Sequence, residues 1–342
     1  MRIAIVNDLS LAREVLRRLV MSISGNTVAW IAEDGDEAVT KAATDRPDVI
    51  LMDLIMPRLN GVEATRQIMR ASPCPILVVT ATVSGNYAMV IQAMGVGALD
   101  AVETPTFGSE GTILNGEKLV ARLAKLRAAT GNVTRSWMSV TAAPPMQSAG
   151  THPPLVLLGA STGGPDALSV VLSALRSGFP APILIAQHIA AEFTPGLVQQ
   201  LALKCALPVR IAREGERPVP GTVLVAASND HLELTRDCTL RYTPNPQSYP
   251  FRPSIDVLFL SCALHWPRPG IGVLLTGMQT DGAEGLLRLR MAGWHTIAQD
   301  EATCVVYGMP KAAAEKRAAI EVLPLNLIGP TISANILSAQ PR

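Results

Sequence analysis

Residues 155–165 read LVLLGASTGGP: an apolar run, a turn of small residues, and a proline placed for the first turn of a helix. Strand, tight turn and helix start in eleven residues mark a chain winding β-then-α, with Ser161 at the carboxyl end of the strand. The alternation continues downstream. Pro182–His188 reads as a strand and a helix follows Pro195. Short strand-like runs lie between Val209 and Tyr242, with a hairpin turn near Arg236–Cys238. Ile271–Thr276 is a further strand, and Asp281 opens the next helix. Upstream, apolar runs at Ile3–Val6, Val28–Ile31, Val49–Met52, Ile76–Thr80 and Ala98–Val102 alternate with amphipathic stretches near 10–22, 35–44, 61–71, 84–94 and 115–128. This pattern predicts an α/β protein of two doubly wound parallel-sheet domains. Between them ATGNVTRSWMSVTAAPPMQSAGTHPP is small, polar and proline-rich without an acidic residue, a linker composition. The division is 1–125, a linker at 126–153, and 154–342, with Trp137 and Met138 expected to dock the linker on one domain.

A length of 342 residues suits two domains of roughly 100–200 residues each. With 29 Lys and Arg against 28 Asp and Glu and no basic run, the chain is not expected to bind nucleic acid or lipid headgroups. No apolar stretch reaches the roughly 18–20 residues of a membrane helix, so no direct membrane insertion is expected. The first apolar run turns polar at Asn7 and Asp8, and the chain is expected to be cytoplasmic. The five cysteines are scattered, without metal-ligand spacing, and read as reduced, mostly buried thiols.

Function in a parallel sheet collects where the strands end. Asp8 follows the first strand and Asp53 ends the third, so both carboxylates reach one rim. With the backbone carbonyl of Ile55 they offer the oxygen ligands that Mg²⁺ prefers. Thr80 adds a hydroxyl from the fourth strand. Strand-end aspartates also cap helices or solvate loops, and the pair alone does not separate these roles.

In the second half GASTG fits G-x-S-x-G, the pattern of an exposed nucleophile, though a serine N-cap or a phosphate-cradling turn has the same composition. A serine nucleophile needs a base, and the base an orienting carboxylate. His188 ends the strand PILIAQH and Asp281 follows the strand IGVLLTG, so Ser161, His188 and Asp281 each close a separate strand on the same rim. The order Ser, His, Asp is not the Ser, Asp, His order of α/β-hydrolases. A dinucleotide-binding oxidoreductase is excluded because the turn lacks G-x-G-x-x-G spacing.

Asp8, Asp53 and Thr80, with LMDLIMPRLNGVEA at 51–64, resemble the receiver domain of bacterial response regulators. GASTGGP, AQHI and LTGMQTDGA, following a receiver and a linker, resemble the chemotaxis protein-glutamate methylesterase family (CheB) over nearly the whole chain. The resemblance implies a flavodoxin-like receiver ahead of a Rossmann-like methylesterase domain. It makes Asp53 the acceptor of a phosphoryl group from a CheA-type histidine kinase, with Mg²⁺ held at Asp8, Asp53 and Ile55, and Thr80 the switch residue. Ser161 becomes the nucleophile, His188 the general base and acid, and Asp281 the orienting carboxylate. Thr162 belongs to the active-site motif, and the Met278 backbone amide serves the oxyanion. NDHLEL at 229–234 is similar to a further family motif, in which His231 reads as structural or substrate-adjacent.

The implied reaction is hydrolysis of glutamate methyl esters on the cytoplasmic part of methyl-accepting chemoreceptors, and deamidation of receptor glutamines, with no cofactor for the esterase step. The unphosphorylated receiver is expected to cover the catalytic face. Two positions depart from the receiver pattern: Asn7 replaces an acid, and Thr104 replaces the lysine before Pro105. In this the chain is similar to methylesterases of alternative chemosensory arrays, such as the Wsp pathway that controls a cyclic-di-GMP synthase. The competing reading is a non-catalytic, receiver-based protein that only binds receptor tails.

Overall fold

The alternating apolar runs close, in the computed structural model, into two separate parallel sheets. Residues 1–81, 84–108, 112–130 and 152–338 are described, so the expected linker at 126–153, with Trp137 and Met138, lies largely outside the described residues. The chain divides into two compact units, Met1–Val133 and Thr134–Arg342.

The first unit runs β1 (Arg2–Val6), α1 (Ser10–Ser22), β2 (Thr27–Ala32), α2 (Gly35–Thr44), β3 (Val49–Met52), α3 (Gly61–Ala71), β4 (Ile76–Thr80), α4 (Tyr87–Gly95), β5 (Asp100–Glu103), the short pair β6 (Thr106–Phe107) and β7 (Ile113–Leu114), and α5 (Glu117–Thr130). The sheet order β2-β1-β3-β4-β5, parallel throughout, is that of flavodoxin-like folds. Strands buried on both faces need continuous apolar runs, and VILM and ILVVT supply them, with Ile50, Leu51, Leu77 and Val79 fully buried. Two boundaries differ from the sequence expectation. β5 starts at Asp100 because Ala98 still closes the end of α4, its N–H donating to Ala93 O. α5 continues to Thr130, five residues past the expected domain end at 125.

The second unit contains β8 (Val156–Ala160), α6 (Gly164–Ser173), β9 (Ile183–Gln187), α7 (Thr194–Lys204), β10 (Val209–Ile211), β11 (Val223–Val225), β12 (His231–Leu234), β13 (Leu240–Thr243), α8 (Ile255–His265), β14 (Ile271–Leu274), α9 (Ala283–Met291), β15 (His295–Gln299), α10 (Met309–Glu315), β16 (Glu321–Leu323) and α11 (Leu325–Ser338). Seven parallel strands pair in the order β10-β11-β9-β8-β14-β15-β16. β12 and β13 form the expected antiparallel hairpin, turning at Cys238 with φ 56°. The chain winds from β8 to β9 on one side and returns as β14 on the other, so β8 lies at the topological switch point, where α/β sheets open a crevice. Leu157, Leu184, Phe259, Leu274 and Trp294 fill the core beneath. Trp266 Nε1–H donates to Pro153 O at 3.0 Å, fastening the chain where it enters this unit. All five cysteines are free, and Cys74, Cys238 and Cys262 are buried. Among the described residues no helix is long and apolar enough to cross a membrane.

Candidate active site

β8, β9 and β14 are adjacent, and each delivers one of the three expected residues to their common carboxyl end. Ser161 follows β8 directly, its N–H donating to Thr276 O beyond the end of β14. His188 follows β9, its N–H donating to Ala160 O. Asp281 stands seven positions past the end of β14. The side chains meet: Ser161 Oγ is 3.1 Å from His188 Nδ1, and His188 Nε2 is 2.7 Å from Asp281 Oδ2. A proton on Nε2 satisfies the carboxylate and leaves the Nδ1 lone pair facing the hydroxyl. All three residues are buried.

Asp281 is held by more than the imidazole. Oδ1 accepts from Ser254 Oγ at 2.9 Å and from Asp256 N–H at 3.3 Å, and Oδ2 accepts from Ile255 N–H at 2.8 Å. Ser254 is the N-cap of α8, so the carboxylate lies on the positive end of that helix. Burial alone would raise the carboxyl. The His188 hydrogen bond and charge, with the Ile255 and Ser254 donors, instead hold it well below the usual carboxylate range. The sequence points to a helix-opening acid at Asp281, but the helix it serves is α8, not the α9 that follows it.

Three residues that sequence reasoning missed complete the constellation. Gln187 is buried in an otherwise apolar strand, and its Nε2–H₂ donates to both Ser161 O and His188 O, at 2.9 and 3.1 Å. A buried amide in such a run demands partners, and that was its available signal. Gly164 allows Gln187 its place, since a Cβ there would overlap Gln187 Oε1. Phe251 stacks on the His188 ring with centroids 4.4 Å apart and planes 11° apart. Ser254 has no local signature at all.

Thr162 lies beside the nucleophile with its hydroxyl buried and unpartnered. Gly277 packs so closely that a Cβ there would come within 2.6 Å of Ser161 Cβ, bringing the Met278 segment against the serine. Among the described residues no protein group accepts from the Met278 N–H. His231 is fully buried, and its hydrogen bonds go to Pro246 and Ser254 and not to any of the three.

In the first unit Asp53 follows β3 and is buried, and Asn7 follows β1. Asn7 Nδ2–H donates to Asp53 Oδ2 at 2.8 Å, Leu54 N–H donates to Oδ1 at 2.7 Å, and Asn7 Oδ1 accepts from Leu9 N–H. Burial, reinforced by the charge of the half-buried Asp8, pushes the Asp53 carboxyl up to about 6 against the Leu54 and Ile55 amides. Thr80 Oγ accepts from Asn86 Nδ2–H at 2.9 Å, and Thr104 N–H donates to Thr80 O. The Ile55 side chain is exposed beyond Asp53. Among the described residues no cluster of three or more His, Cys, Asp or Glu forms a metal site of its own.

Residues 156–332 match the family model described as CheB methylesterase, and residues 3–110 match the response regulator receiver domain. A protein-glutamate methylesterase/protein-glutamine glutaminase of Burkholderia thailandensis is 51% identical over 328 residues, 96% of this chain and 95% of that one. One from Pseudomonas aeruginosa is 46% identical over 97% of this chain and 99% of its own length. The catalytic domain of Thermotoga maritima CheB methylesterase aligns with a TM-score of 0.52 at 34% identity, covering 54% of this chain and 100% of that one. The chain therefore belongs to the CheB methylesterase family, with a response regulator receiver domain ahead of its esterase domain.

Proposed function

We propose that this protein is a phosphorylation-controlled protein-glutamate methylesterase that also deamidates glutamines, acting on the cytoplasmic part of methyl-accepting chemoreceptors. The observation that carries it is the hydrogen-bonded relay from Ser161 through His188 to Asp281. Ser161 Oγ attacks the ester carbonyl while its proton passes to His188 Nδ1. Asp281, fixed by Ser254 and Ile255, steadies the imidazolium that forms. The Met278 N–H, with the buried and unpartnered Thr162 hydroxyl, stabilises the oxyanion, a contribution of about 3–4 kcal/mol for a key donor. The tetrahedral intermediate collapses, His188 returns the proton to the departing methoxide, and methanol leaves. Water, deprotonated by His188, then attacks the acyl-Ser161 carbonyl and yields free glutamate and free serine. With a glutamine substrate the same steps release ammonia.

The switch is the expected 1–125 extended through the end of α5 at Thr130, and the esterase is 154–342, with the connector between them. Asp53 takes a phosphoryl group from a CheA-type histidine kinase, and Thr80 contacts it in the switched state. Asp8, Asp53 and the Ile55 carbonyl suit Mg²⁺, because two carboxylates whose repulsion helps raise Asp53 are relieved by a divalent cation. When bound, Mg²⁺ neutralises negative charge on the phosphoryl oxygens. Asn7 brings a neutral amide where an acid would strengthen the metal site, and Thr104 brings a neutral hydroxyl where a cation would hold the phosphoryl group. Methanol release from methylated receptors, with and without a small phosphodonor, tests the whole reading. Ser161→Ala should abolish release without lowering the melting temperature, and removal of residues 1–130 should raise the unphosphorylated rate. Near-normal turnover by Ser161→Ala would refute the assignment.

A further inference from the structure

The motif NDHLEL places His231 at the start of β12, fully buried and away from the reacting atoms. Both ring nitrogens are engaged. Nδ1 accepts from Ser254 N–H at 3.1 Å, and Nε2 lies 3.2 Å from Pro246 O, an acceptor that fixes the proton on Nε2. Tyr249 covers the ring edge-on, with centroids 5.9 Å apart. These partners lie in one strap, residues 246–256, and the same strap carries the supports of the reacting groups. Phe251 stacks on His188, Ser254 Oγ–H donates to Asp281 Oδ1, and the Ile255 and Asp256 amides donate to the same carboxylate. His231 therefore ties the two ends of the strap to the hairpin, and its acceptor nitrogen sets the backbone of the residue whose side chain holds Asp281.

We infer that His231 is a positioning residue for the ester-cleaving relay, acting on Asp281 through Ser254. The inference rests on the triad reading, and its test separates the two. Labelling of the full chain by a fluorophosphonate measures the nucleophilicity of Ser161 without a receptor. The low-field NMR proton on His188 Nε2 reports its bond to Asp281 without any turnover.

His231→Phe keeps a ring but loses both nitrogens. It should slow labelling about tenfold and broaden the low-field proton, because misplacement of a catalytic group by a fraction of an ångström has effects of this order. Asn reproduces the acceptor at the Nδ1 position, so His231→Asn should label within about threefold of the parent, the loss of one neutral hydrogen bond being a small perturbation. Gln reaches only toward Pro246 O, so His231→Gln should behave as His231→Phe. Ser254→Ala should match His231→Phe, and the double variant should be no slower than the slower single one, as for residues acting in series.

Labelling at the parental rate with an intact low-field proton in His231→Phe would overturn the inference, as would rescue by Gln but not by Asn. The Asn and Gln pair decides alone if the Phe variant does not fold. A parent that does not label at all refutes the esterase reading, while the low-field proton across the His231 variants still decides the role of His231.

Discussion

Asp53→Asn removes a charge that the receiver holds at a cost. Asp53 is buried, receives no ion pair from any described residue, and is raised by burial and Asp8 from 3.8 to about 6. A carboxyl whose folded-state pKa is raised favours the protonated form. Its contribution is fully present below about pH 4 and is lost as the pH rises through about 6. At 1.36 kcal/mol per unit, the ionised form costs the fold about 3 kcal/mol at pH 8. Asparagine is as neutral as the protonated acid, and like it keeps one full acceptor for the two donors, Asn7 Nδ2–H and Leu54 N–H. About 0.6 kcal/mol of this cost is already present at pH 4, so the stability gap between Asp53→Asn and the parent should widen by about 2.4 kcal/mol between pH 4 and pH 8.

Hydrogen exchange of the full chain, read by mass spectrometry on the β1 and β3 peptides in chelator, measures it. At pH 8 the variant-to-parent protection ratio of those amides should be about 60-fold larger than the same ratio at pH 4. Mg²⁺ should shrink the gap, because it stabilises only the carboxylate form. A gap equal at pH 4 and pH 8 would refute the reasoning, since it would assign the effect to shape and not to charge.

Gly164→Ala should destabilise the esterase unit by about 2 kcal/mol in urea titration, because the new methyl overlaps Gln187 Oε1; adding Gln187→Ala should recover part of that loss. Gln187→Leu should lower kcat for methanol release about tenfold with KM little changed, because it frees the Ser161 and His188 carbonyls at once. Phe251→Leu should lower kcat about threefold and Phe251→Tyr should not, if the ring face steadies the imidazolium in steady-state assays. Asn7→Asp, losing an amide donor and adding a like charge beside Asp53, should destabilise the receiver by about 2 kcal/mol in chelator, and Mg²⁺ should reverse this in thermal melts.

The residues legible in the sequence share one property: each follows an apolar run, directly or across one short turn. Ser161, His188 and Asp53 stand directly beyond strands and Asp281 closes the turn after β14, and strand ends in a parallel sheet converge whatever lies between them in the chain. The supports were illegible because they come from elsewhere. Ser254 and Ile255 reach Asp281 across 27 and 26 residues, and Phe251 reaches His188 from a segment with no regular period. Periodicity does not say which helix end a carboxylate will meet, so Asp281 was readable as an acid at a helix start but not as the acid of α8. In the receiver the replacement at Asn7 was visible, whereas its donation to Asp53 was not.

The reacting side chains stand on β9, β8 and β14, the middle three of seven strands, with two strands outboard on each side. The outermost, β10 and β16, have only three residues each and no fully buried ones. Fraying begins at such margins and leaves the centre paired. Catalytic turnover in this domain thus reports on its centre and not on its margins: partial melting at either edge should be silent in an activity assay, and the enzyme should switch off only when the middle strands, or the strap 246–256 that holds Asp281, let go.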